Sequence, residues 1–168
     1  MSLPIWDRRP REEAYLFNPA FCGVVLHEFT KEYVKAKAAP CSLALLFCVL
    51  PIALHSKTRF ALPGSTLTSL YSWRERNPEV LIGFAERARS LRPVAQEALR
   101  FGLDRAVFQL TEEGDLLLGD KPLAVGKKFE EGLSEDSRDC IVTARLLGRW
   151  FAKAGTTSTI MAVWGIKP

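Results

Sequence analysis

Residues 41–59 read CSLALLFCVLPIALHSKTR. A strongly apolar run passes without a break into a basic, hydroxyl-rich end. A membrane span needs about 20 apolar residues to cover roughly 30 Å. Residues 41–54 supply only fourteen, Pro51 interrupts them, and the run closes on Lys57 and Arg59. The stretch therefore predicts a buried central helix over 42–55. Because it is apolar nearly all round, other elements must cover it on several sides. Pro51 should bend or end it. His55 is then expected at the helix C-terminus, where its charge meets the helix dipole.

Cys41, Cys48 and His55 lie seven residues apart. On one helix they share a face, but two turns rise about 10.5 Å. A zinc–sulfur bond spans only about 2.3 Å, so the three cannot close on one ion. No CxxC, HxxxH or HExxH pattern occurs. Cys–His catalysis needs a thiolate, a base and a residue that orients the base. His27 and His55 are the available bases, while Cys22, Cys41, Cys48 and Cys140 all sit in apolar surroundings, which disfavour a thiolate. Gly126 and Lys127 are followed by Lys128, not the Ser or Thr of a phosphate loop, and no GxGxxG or GxSxG occurs. Glu112 and Glu113 read as a hairpin turn, Glu135 and Asp136 as a helix start. The expectation is a protein without a catalytic constellation, metal or cofactor.

Outward from this stretch the chain is punctuated by prolines and caps. Residues 1–17 read as an irregular arm that Trp6 and Phe17 pin to the body. Asn18 and Pro19 start a helix over 20–38, whose residues Glu28, Lys31, Glu32 and Lys35 form mixed pairs on an expected solvated face. Ser65 or Thr66 caps a helix to Arg76 that buries Leu67, Leu70 and Trp73. Pro78 opens a helix to Leu91, and Arg92 with Pro93 forms a joint before a helix to Arg105. The period then changes to a hairpin over 107–110 and 116–118, turning at Glu113 and Gly114. Residues 120–133 read as loop. Ser134 caps a helix to Lys153, ended by Gly155. A last apolar segment, IMAVWGI, is helix or strand and should be docked, into the core or against another protein.

The fold class is mainly α with a small β-hairpin, in one domain over 1–168. The order helix, turn, helix, hairpin over 78–119 is that of a winged helix; it equally fits a plain helix pair with a hairpin. The composition, 48% hydrophobic and 25% charged with net charge +4, is that of a soluble globular protein. The start lacks an apolar leader segment, so a cytoplasmic protein with reduced cysteines is expected. The charge permits a nucleic-acid partner without calling for one. Lys57, Arg59, Arg74 and Arg76, around the ends of two successive helices, are the candidate partner- or nucleic-acid-binding residues. Arg87, Arg89, Arg92 and Arg100 follow them. Glu97 and Asp104, on the expected recognition helix, argue against phosphate binding there.

The segments NPAF (18–21), LPIALHSKTRFALP (50–63), NPEVLIGFAERARSL (77–91), EALRFG (97–102) and GRWFAKAGTTSTIMAVWGIKP (148–168) resemble the bacterial middle component of ABC-three-component systems. The resemblance spans nearly the whole chain except the hairpin and residues 120–133. It implies an anti-phage assembly of an ABC- or SMC-like ATPase, a small middle protein and an effector, often a nuclease. The middle protein would be a noncatalytic adaptor between the other two, with DNA contacted through the complex. The other readings are a winged-helix nucleic-acid binder and a Cys-dependent enzyme.

Overall fold

Asn18 and Pro19 set the first long helix. The Asn18 carboxamide oxygen accepts from the Ala20 amide at 2.8 Å, and α2 runs Pro19–Lys37, after a short α1 at Arg11–Leu16. The computed structural model describes residues 3–5 and 8–167, without the side chains of residues 12, 13 and 16. The quoted stretch forms α3, Leu43–Ala53, and α4, Ser56–Ala61. They are followed by α5 (Leu70–Arg76), a 3-10 turn (Pro78–Leu81), α6 (Phe84–Leu103), β1 (Phe108–Leu110), β2 (Leu116–Leu118), α7 (Lys127–Glu131), α8 (Glu135–Lys153) and α9 (Thr157–Val163). The protein is mostly helical with one small antiparallel sheet, as its sequence implies.

α3 sits at the centre. Its side chains from Cys48 to Ala53 are buried, and α2, α6, α8 and α9 pack around it. The face of α2 expected to be solvated is covered in part by α8: Glu28 is buried and Lys31 and Glu32 are half-buried, while Lys35 is exposed. Residues 22–30 are buried in succession, Glu28 among them. The close approach is possible because α8 carries Gly148. A Cβ there would meet the Phe29 carbonyl oxygen at 2.5 Å and the Glu32 Cβ at 2.8 Å. Gly148→Ala gains about 1 kcal/mol of helix propensity but forces two backbones apart. We expect a net loss of about 2 kcal/mol, read from a urea unfolding curve.

α6 departs from the expected pattern. It passes through Arg92 and Pro93 as one helix, so the joint expected there does not form. A proline inside a helix costs about 3 kcal/mol. Burial of Leu91, Val94 and Leu99 on one face, at about 1.5–3 kcal/mol for each large side chain, outweighs it. Residues 78–119 therefore hold a 3-10 turn and one helix before the hairpin, not two helices. The break falls at Gly83, with φ 68°.

The hairpin pairs Phe108 with Leu118 and Leu110 with Leu116, and Gly114 takes φ 85° in its turn. Cys41 adds a third, single-residue edge. Its amide donates to the Leu116 carbonyl at 2.9 Å, and the Leu116 amide returns the bond at 2.7 Å. The connection between α2 and α3 is thus joined to β2 on the side away from β1.

The cap of α5 corrects the sequence reading, while the arm and the last segment follow it. Ser69, rather than Ser65 or Thr66, caps α5 by accepting from the Ser72 amide at 3.1 Å. Leu67 is consequently outside the helix and 91% exposed. The N-terminal arm is pinned by Phe17, which packs on the core, and by Arg9, whose guanidinium grips Glu97 at 2.5 and 2.7 Å; Trp6 lies outside the described residues. The last apolar segment is a helix, and Ile160, Met161 and Trp164 dock it into the core.

Candidate partner and nucleic-acid surfaces

α3 ends at Ala53, and His55 belongs to the next helix. Its Nδ1 accepts from the Thr58 amide at 3.3 Å, capping α4. Burial, followed by the charges of Arg87, Lys57 and Arg59, lowers its pKa. His55 is therefore an N-terminal cap, not a charge on the dipole at the end of α3.

The four basic residues named from the sequence stand in different settings. Lys57 is exposed and lines a cleft of about 400 Å³ with His55, Ala61, Val80, Ile82 and Arg87. Arg74 is half-buried and Arg76 exposed at the end of α5, and neither lines that cleft. Arg59 is buried. Its Nη1 donates to the Ala53 carbonyl at 2.7 Å, and its Nη2 pairs with Asp136 at the start of α8. It satisfies the end of α3 and ties that end to α8, so its guanidinium is engaged within the fold. Arg87 has a similar task, donating to the Pro51 carbonyl and Thr58 hydroxyl, each at 3.2 Å.

The segment 54–83 exposes apolar side chains that sequence periodicity did not single out. Phe60 is 75% exposed, Leu67 91%, Tyr71 63% and Ile82 78%. All four lie on one excursion of the chain. The excursion itself is held firmly. Trp73 Nε1 donates to the Ala61 carbonyl and Trp150 Nε1 to the Thr68 carbonyl, both at 2.7 Å. The Trp73 ring stacks edge-on to Trp150 at 5.2 Å. The four side chains are thus carried on a segment tied down at Ala61 and Thr68, with Lys57 and Arg76 near them in sequence.

The description of Middle Component 3 of ABC-three-component (ABC-3C) systems matches residues 6–168, essentially the entire chain. The chain belongs to that family. No curated protein and no solved structure matches it.

This middle component has four cysteines, all buried and unpaired. Burial pushes the thiols of Cys22 and Cys48 up to about 12 and that of Cys140 up to about 11, and it raises Cys41 as well. A thiol so placed is protonated and shielded at neutral pH. We expect an aromatic disulfide reagent at pH 8 to titrate none of them in the native protein and all four in denaturant. Fast reaction of one native thiol would contradict this placement. Among the described residues no group of three or more His, Cys, Asp and Glu could hold a metal ion, and no helix is long and apolar enough to cross a membrane.

Proposed function

We propose that this middle component is a noncatalytic adaptor of a cytoplasmic anti-phage complex, joining an ABC- or SMC-like ATPase to an effector. The observation that carries the reading is the rigid excursion 54–83, where Phe60, Leu67, Tyr71 and Ile82 stand exposed in a chain whose family is defined by membership of a multi-component system. Burying four such side chains against a partner removes enough apolar area to supply several kcal/mol. Large apolar side chains in a rigid frame lose little entropy on binding.

The test is co-purification with the ATPase and effector from the same operon, using Phe60→Asp and Leu67→Asp. Loss of one partner with unchanged helical content and melting temperature is expected. Retention of both partners by the double variant would remove the excursion from the interface.

A second reading is favoured by connectivity. α2, the Cys41 bridge, α3, α6 and the hairpin follow one another, with sheet order Cys41, β2, β1. α2, α3 and α6 pack mutually. This order supports a winged helix over 19–118, with 54–83 inserted between its second and third helices. Under this reading the middle component also binds nucleic acid.

A further inference from the structure

Helix α6 is the third helix of that winged-helix arrangement. One side of it, Phe84, Ala88, Leu91, Val94, Ala95, Ala98, Leu99 and Gly102, is buried. The surface beside it carries Arg89, Arg92 and Arg100, all exposed. Their spacing of three and eight residues keeps them on one stripe that rises about 16 Å along the helix. Half-buried Gln96 lies between them, and an open cleft of about 330 Å³ is bounded by Arg89, Arg92, Pro93 and Gln96. Arg92 sits over the Phe47 ring at 6.0 Å. Among the described residues, no carboxylate forms an ion pair with these three arginines.

The acids of α6 do not cancel this field. Glu97 is engaged by the Arg9 guanidinium through both carboxylate oxygens, so its charge is neutralised within the protein. Asp104 lies beyond the helix end. Glu86 is exposed one turn before Arg89 and flanks the stripe. The hairpin tip is acidic, with Glu112 and Glu113 exposed, so the helix rather than the wing must make the contact.

We infer that the Arg89, Arg92 and Arg100 face of α6 is a contact surface for double-stranded DNA, an inference that rests on the winged-helix reading. A helix fits the major groove, about 12 Å wide. Three arginines along one helix stripe can reach phosphates on its walls while the buried side stays in the core. An acidic protein surface offers the same charge without that groove shape, and a helix presented as the third of a winged helix favours the duplex.

The test uses the full chain and a fluorescent 24-base-pair duplex at 50 and 200 mM salt. Three phosphate contacts lower affinity about 40-fold between those salts, and each arginine removed flattens the log–log slope by about 0.9. Arg89→Ala, Arg92→Ala and Arg100→Ala should each do so, whereas the double variant Lys57→Ala with Arg76→Ala should retain the wild-type slope. Absence of any wild-type binding would remove both the nucleic-acid reading and this face. Wild-type binding that depends on Lys57 and Arg76 but not on α6 would keep the reading and overturn the face. Loss of a protein partner, with no DNA bound by the wild type, would assign the face to an acidic protein.

Discussion

Replacing Trp164 with alanine is expected to destabilise the middle component by about 4 kcal/mol, lowering the melting temperature by about 12 °C for a chain of this size. The indole is 1% exposed. Its ring lies 4.8 Å from Phe84 and 5.4 Å from Trp73, at the meeting of α9, α5 and the start of α6. The Thr156 cap alone does not hold α9, a helix of seven residues, since helices so short are not stable alone. Removing the ring therefore leaves a large cavity and also releases the C-terminal segment. Trp164 Nε1 is buried without a hydrogen-bond partner, which costs the native state something. Trp164→Phe keeps most of the ring and removes that orphan donor. It should lose less than half as much as alanine. Far-UV circular dichroism during thermal and urea unfolding of both variants checks the pair. Equal losses would contradict the account, because a phenyl ring would then recover none of the packing.

Glu28→Ala is expected to cost about 3 kcal/mol at pH 7, because removing one member of a buried charge network leaves the others uncompensated. Glu28 is wholly buried. Its Oε1 accepts from Lys31 Nζ at 2.6 Å and meets His27 Nδ1 at 3.1 Å, while its Oε2 accepts from Arg145 Nε at 2.5 Å. His27 Nε2 accepts the Leu123 amide at 3.1 Å, which puts the ring proton on Nδ1, facing Glu28. Arg145 also donates to the Val125 carbonyl at 3.2 Å and pairs with Glu130 at 2.7 Å. One carboxylate thus fastens α2, α8 and the loop after the hairpin.

Burial alone would push the Glu28 carboxyl up. Hydrogen bonds from His27, Lys31 and Arg145 outweigh burial and hold it down at about 2, against an ordinary 4.5. A folded-state value below the unfolded one gives stability that is full above about pH 4.5 and fades as the pH falls toward 2. The wild type should therefore lose about 3 kcal/mol across that window that Glu28→Ala does not lose. Parallel urea midpoints for the two proteins from pH 5 to pH 3 would contradict the account.

The helices that carry local signals were legible in the sequence. Asn18 with Pro19, Ser134 with its acids, and Gly114 between short apolar runs each act within a few residues, and each sits where its chemistry placed it. Errors arose where a distant partner decided the outcome. Pro93 reads locally as a joint, yet burial across α6 carries the helix through it. Glu28 reads as a solvated pair with Lys31, yet Gly148, 120 positions away in the chain, brings α8 close enough to cover it. Arg59 reads as a free basic end, and only the fold supplies Asp136 and the Ala53 carbonyl. Glu97 counted against DNA until Arg9 appeared beside it. The apolar excursion 54–83 was hidden because Leu67 at helical spacing from Leu70 looks like core; the cap at Ser69 leaves it outside. Nothing in residues 41–43 alone announces the Cys41 bridge, which gives the sheet its third edge.

The most direct test of the adaptor account is light scattering on a size-exclusion column after co-expression with the neighbouring ATPase and effector reading frames, with nuclease treatment and high salt. The account predicts one species of fixed stoichiometry that contains the middle component and the ATPase and survives both treatments. Elution of the middle component by itself, with the ATPase in a separate peak under every condition, would contradict it.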